Sequence, residues 1–181
     1  MTRSDQPRYP GMLARVLAFG ADYLVVSAYV LVLVGIGAAG LWLAPDAVGA
    51  LFGTRWSAQA AGFVLLTAPV CWYFASSESS PSGATVGKRA LGIRVTRADG
   101  ASLSAGRAVA RTALKFLPWE LAHTAVWEFR FADGEESIVA TVGLCLVWGL
   151  VFANFVAAAM DGRHQALHDR AVDTVVVVAG R

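Results

Sequence analysis

Charge is what this sequence has little of: Asp, Glu, Lys and Arg together make up 15% of its 181 residues, against roughly 25% in ordinary soluble domains. That is too little to solvate a globule of this size. Hydrophobic residues make up 56%, and mean hydropathy is +0.55. Cysteine is scarce as well. Cys71 and Cys145 both fall in apolar stretches, where small packing residues fit better than a disulfide, so neither reports a redox compartment. A formal charge of +2 is too small to imply nucleic acid. No Ser-His-Asp, Cys-His or paired-carboxylate arrangement stands out, so no enzyme activity, cofactor or resident metal is expected. No internal repeat is visible. A signal peptide is not expected either, because Arg15 and Asp22 interrupt the place of its short apolar core.

What the sequence does have is long hydrophobic runs. They cover about Val16–Leu43, Ala58–Phe74 and Ile138–Met160, each near or above the ~17–25 residues of a membrane helix. Three crossings alone would put the termini on opposite sides, and the charges argue against that. The N-terminal tail carries Arg3, Arg8 and Arg15 against Asp5, and the C-terminal tail carries Arg163, Arg170 and Arg181. The middle stretch carries Lys88, Arg89, Arg94, Arg97, Arg107, Arg111 and Lys115 against Asp99, whereas the loop 128–136 is acidic. Basic loops stay cytoplasmic, so both termini and the middle loop are expected inside, which requires a fourth crossing. Its candidate is Ala108–Trp127, weakened by Pro118, Glu120 and His123. Arg107, Arg111 and Lys115 recur there at steps of four, a stripe that suits contact with anionic lipid headgroups or an acidic partner. The segment either crosses or lies along the headgroup layer. The expected fold is an all-α bundle of about four transmembrane helices. A small cytoplasmic β element goes with it: Ile93 and Val95 alternate with polar residues before an Asp99-Gly100 turn, Leu103 begins a return, and the β-branched run Thr174–Val178 is placed to pair with the hairpin. The Ser-rich stretch Ser76–Ser82 reads as a flexible loop.

Several polar groups qualify as site candidates. Asp22 stands in the first run seven residues after Arg15, two helical turns or ~10.5 Å along one face. An ionisable group within the bilayer costs ~2.5–3.5 kcal/mol, which marks it as a candidate functional group. The alternative is a structural hydrogen bond or salt bridge between helices. Glu120 and His123 also share a face and, with Asp22, would form a proton-titratable cluster; otherwise Glu120 pairs with a surface cation. Gly83-Ala-Thr-Val-Gly87-Lys88-Arg89 invites comparison with a phosphate-binding loop. It has one residue too few between the glycines, and Arg89 stands where Ser or Thr would hold magnesium, so a tight turn is the better reading. Asp161, His164 and His168 would share a helix face, either as metal ligands or, preferably, as part of a charged juxtamembrane helix.

Together these segments resemble the RDD family of bacterial membrane proteins, named for one arginine and two aspartates. Arg15 and Asp22 lie in Met12-Leu-Ala-Arg-Val-Leu-Ala-Phe-Gly-Ala-Asp22. The stretch from Gly83 to Gly100, with Gly83, Thr85, Gly87, Lys88, Arg89 and Gly92, is similar to the family's central segment. Gln165-Ala-Leu-His-Asp-Arg-Ala-Val-Asp-Thr174 is similar to its closing one, which makes Asp169 the second aspartate and puts Asp173 where a glycine is usual. The resemblance implies a single membrane domain over residues 1–181, multi-pass in the bacterial inner membrane. Its tail 1–11, loop 75–107 and closing segment 161–181 would be cytoplasmic. It also implies transport, with sodium–proton antiport proposed for some members. Two functions follow as expectations. One is a small transporter exchanging a cation for protons at Asp22, with Glu120 and His123 as relay, in a homo-oligomer. The other is a non-enzymatic accessory or scaffold subunit of a larger membrane complex.

Overall fold

The computed structural model describes residues 7–132 and 137–180. Arg3, Asp5, Arg181 and positions 133–136 of the acidic loop lie outside them. The chain is mostly helical. α1 spans Met12–Leu43, a run free of proline that stops where Pro45 opens α2 (Pro45–Phe52). At 32 residues it is ~48 Å long, more than the ~30 Å of a bilayer's hydrocarbon. Leu13, Leu24, Leu31, Val34 and Trp42 stand exposed along it. In water that surface would be prohibitive, whereas lipid tails solvate it. α3 (Arg55–Gly62), a π-helical turn (Phe63–Thr67) and α4 (Ala68–Ser79) follow as one helix, Arg55–Ser79. α5 (Val86–Ala90) is a single short turn before β1 (Ile93–Arg97), and α6 is Ala105–Arg130. α7 (Ile138–Met160), α8 (Leu167–Ala171) and β2 (Thr174–Val178) close the described chain.

Among the described residues three helices are long and apolar enough to cross a membrane: Met12–Leu43, Arg55–Ser79 and Ile138–Met160. These are the three runs legible in the sequence, the middle one extended at both ends. α6 runs unbroken through Pro118 for 26 residues, so the weak fourth segment is one helix, but a more polar one than the other three.

The chain divides into two compact units. The first holds residues 1–24, 72–115 and 152–181, and the second holds 25–71 and 116–151. In the first, β1 pairs antiparallel with β2 in the register Ile93 to Val178, Val95 to Val176 and Arg97 to Thr174. The expected hairpin is therefore corrected. The Asp99-Gly100 turn forms, with Gly100 at φ +87°, but the chain after it is not a strand, and Leu103 packs instead into the core. The β-branched closing run takes the open edge of β1, burying Val175, Val176 and Val177. Ala18, Ala75, Ile93, Val95, Leu103, Ala108 and Val176 make up the core beneath this two-stranded sheet.

The Ser-rich stretch is corrected as well. Ser76 and Ser79 lie in the last turn of α4 and donate back to the carbonyls of Trp72 (2.6 Å) and Ala75 (2.8 Å). Such back-bonding satisfies the hydroxyls inside a helix that composition alone would end.

Candidate functional site

The first unit holds a buried polar cluster built on three carboxylates. Asp22, 1% exposed, accepts from the Tyr73 hydroxyl (2.8 Å), the Gly87 amide (2.8 Å) and the Thr85 hydroxyl (2.6 Å). Thr85 is also the N-cap of α5, receiving the Lys88 amide at 3.4 Å. Gly87 is required by proximity: a Cβ there would lie 2.1 Å from the Ala18 carbonyl oxygen. The central-loop motif thus seats α5 against α1, with Asp22 as its acceptor. Gly83, at φ +61°, supplies the left-handed turn into this segment, and its carbonyl accepts the Val95 amide at 2.8 Å. Gly92, at φ +63°, turns the chain from α5 into β1, and Arg89 donates to the Ala84 carbonyl at 3.2 Å.

The second carboxylate is Asp169. Arg111 reaches it twice, through Nε at 2.9 Å and Nη2 at 2.7 Å, and extends its Nη1 to Glu78 at 2.6 Å. Lys88 closes on the other oxygen of Glu78. Arg15 lies 3.7 Å from Asp169 and donates to the His164 carbonyl. The partner of Arg15 is therefore the second aspartate of the motif, while Asp22 takes its three donors elsewhere. Glu78, the third carboxylate, is fully buried and was hidden in the sequence by the serines around it. Tyr73 was likewise missed; a hydroxyl in an apolar run is a weak signal without knowledge of what faces it.

The basic stripe on α6 is divided. Arg111 is buried in this network rather than facing headgroups, and Lys115 stands over the rings of Phe74 (3.7 Å) and Phe19 (5.1 Å). Arg107 donates to the Val172 carbonyl at 3.0 Å and lies 3.9 Å from the exposed Asp173. Asp173 itself has φ +53°, the conformation that explains why a glycine is usual there; aspartate is among the few residues that tolerate it.

Asp161, His164 and His168 do not share a helix. α7 ends at Met160, His164 sits at φ +54° in the turn that follows, and His168 belongs to α8. The Nδ1 of His164 faces the Ala158 carbonyl, and that of His168 lies 3.0 Å from the Asn154 amide oxygen. Burial, reinforced by the charge of Arg111, lowers His168 to about 3. Burial alone would raise the Asp169 carboxyl, but Arg111 and Arg15 outweigh it and hold Asp169 below its usual range. Burial lowers the Lys88 ammonium, with Glu78 opposing.

A pH dependence follows. Between about pH 3 and the ordinary histidine value of 6.5, the unfolded chain binds a proton at His168 that the folded chain does not. The His168 contribution to stability therefore rises with pH across that window and is flat above it. Asp169, depressed, adds the same sign below its ordinary value of 3.8. Thermal unfolding in detergent should show a loss of up to ~1.4 kcal/mol per pH unit below pH 6.5, and His168→Gln should flatten the slope above pH 4.

The second unit has its own polar group. Glu120 accepts from Gln59 (2.5 Å) and from the Thr67 hydroxyl (2.6 Å) in the π-helical turn, and His123 lies 3.8 Å from it. Tyr29 donates to the Leu65 carbonyl of the same turn at 2.6 Å. Arg55 pairs with Glu128 at 3.0 Å, so the cation partner anticipated for Glu120 belongs to Glu128.

Long apolar helices whose side chains face outward, together with a buried ionic cluster, define a membrane protein. The RDD family model matches residues 9–173, and the chain belongs to that family. No curated protein and no solved structure matches it.

Proposed function

We propose that the chain is a non-enzymatic scaffold or accessory subunit of a membrane complex, crossing a bacterial cell membrane four times with both termini and the small sheet on the cytoplasmic side. The observation that carries this reading is the set of protein donors that holds Asp22. Three of the roughly four acceptor positions of its carboxylate are filled by protein donors, one of them a backbone amide, so a cation bound through both oxygens would have to break bonds that fasten α5 to α1. The network around Glu78, Arg111 and Asp169 is equally closed. It joins α4, α5, α6 and α8 in one ionic cluster, which suits a fixed platform better than a site that loads and empties. Four crossings follow from the basic residues at positions 88–115 and in both tails, which favour one side. A platform of this kind acts through partners, in a homo-oligomer or a larger assembly.

Transport is the second reading, and one observation favours it. Glu120, His123 and Thr67 meet at a π-helical turn, a feature frequent at functional sites, and a carboxylate beside an imidazole there is suited to proton exchange. Proteoliposomes holding the purified protein distinguish the two. The scaffold reading expects no sodium- or potassium-driven proton flux at any pH from folded protein. It also expects Asp22→Asn to cost ~1.5–3 kcal/mol through weakened charge-assisted bonds. Flux that disappears in a folded Asp22→Asn or Glu120→Gln protein would establish transport instead.

A further inference from the structure

The buried cluster of the first unit borders a cavity of about 350 Å³, at the lower end of the ~300–1,000 Å³ of small-molecule sites. Its polar lining is rich in cationic side chains. Arg15, Lys88, Arg111 and Lys115 line it together with Asp22 and Asp169, and Glu78 lies behind Lys88 and Arg111 as their partner. An anion would add acceptors to this donor-rich lining, in which Arg15, Lys88 and Arg111 already meet Asp169 and Glu78. Arg15 marks where that anion would sit. Its Nε and Nη2 are buried and, among the described residues, donate no hydrogen bond, although Nη1 does. Buried guanidinium donors left unmatched are costly, and a tetrahedral or planar oxyanion meets such a fork with two oxygens.

Part of the lining is apolar. Val16 and Phe155 line the cavity while exposing 55% and 58% of their surfaces, and Phe19 and Ala158 line it as well. A freely soluble anion would gain nothing from these side chains, whereas an acyl chain would cover them. We propose that this cavity binds the headgroup of an anionic amphiphile, a phosphate-bearing membrane lipid. Its charged oxygens would lie on Arg15 and its chains would leave past Val16 and Phe155. This site is independent of the scaffold reading, since a transporter or a scaffold could equally hold such a lipid.

The test is titration of lipid-stripped, detergent-purified protein with dihexanoyl phosphatidylglycerol, dihexanoyl phosphatidylcholine and inorganic phosphate, followed by calorimetry and by melting temperature. Phosphatidylglycerol is expected to bind at least about tenfold more tightly than the other two, and Arg15→Gln to weaken it by at least about tenfold. Because Arg15→Gln also touches Asp169, Val16→Trp provides the second variant. It obstructs the apolar part of the lining without altering an ion pair, and should abolish lipid binding while the lipid-free melting temperature holds. Three outcomes would overturn the proposal: equal affinity for phosphatidylcholine, inorganic phosphate binding as tightly as the anionic lipid, or unchanged binding in Val16→Trp.

Discussion

Arg111→Ala is expected to lower the melting temperature by roughly 6–20 °C, the equivalent of ~3–5 kcal/mol for removing one partner of a buried ion pair in a chain of this size. Arg111 is 3% exposed at its side chain and bonds two carboxylates, Glu78 and Asp169, that are 0% and 1% exposed. Its loss leaves Lys88 to balance Glu78 and the more distant Arg15 to balance Asp169. Neither replaces a planar fork that reaches both acids at once. Arg111→Lys should therefore recover only part of the loss, because an ammonium is a single point of charge. The informative control neutralises the whole group. Arg111→Met with Arg15→Met, Lys88→Met, Glu78→Gln and Asp169→Asn takes both acids and all three of their cations out together and should be more stable than Arg111→Ala, since a buried pair is worth little against its own desolvation. Thermal unfolding in detergent checks all three proteins. A fall of less than 2 °C for Arg111→Ala would show that the network does not hold the first unit together.

The ends of this network differ in how they can be read from the chain. Arg15 and Asp22 stand out in sequence because an ionisable residue in or beside an apolar run demands an explanation, whereas Asp169 is singled out by the resemblance of its segment to the family's closing one. Glu78 does not stand out. Ser76, Ser77, Ser79 and Ser80 surround it with loop-like composition, yet the helix continues to Ser79, with the Ser76 and Ser79 hydroxyls bonded back to its own carbonyls. A usable signal was present: a lone acid at the end of an apolar run, ten residues before Lys88. For Arg111 the step-of-four stripe was legible, but periodicity shows that residues share a face and not what that face meets. The sheet illustrates the same limit. Ile93–Arg97 and Thr174–Val178 were legible as extended segments and as partners, but the Asp99-Gly100 turn also suggested a local return strand at Leu103 that does not form. Glu120 and His123 were visible as neighbours. Thr67 and Gln59, which complete their group, lie more than fifty residues away.

Gly87→Ala should be nearly as damaging as the loss of Arg111, although it adds only one methyl group. The new Cβ would lie 2.1 Å from the Ala18 carbonyl oxygen, 2.9 Å from the Asp22 amide nitrogen and 3.0 Å from the Asp22 carboxyl carbon. Two of these are backbone atoms of α1 and cannot rotate away, so α5 has to withdraw from α1. Withdrawal stretches the Gly87 amide bond to Asp22 and drags Thr85, one of the other two donors, with it. Overpacking of this kind costs ~1–3 kcal/mol, and a weakened charge-assisted hydrogen bond adds ~1.5 kcal/mol or more. Together they predict a loss of about 3 kcal/mol, or roughly 6–12 °C in melting temperature. Gly106→Ala is the natural comparison, since nothing lies within 4 Å of a Cβ there and it sits in the first turn of α6. It should be neutral or slightly stabilising through helix propensity. Combining Gly87→Ala with Asp22→Asn separates the causes. If the clash acts by pulling α5 from its acceptor, the double variant loses clearly less than the sum of the single losses, because the bond is broken only once. Strict additivity would mean that Gly87 and Asp22 act independently, and that the close approach of α5 to α1 serves packing alone.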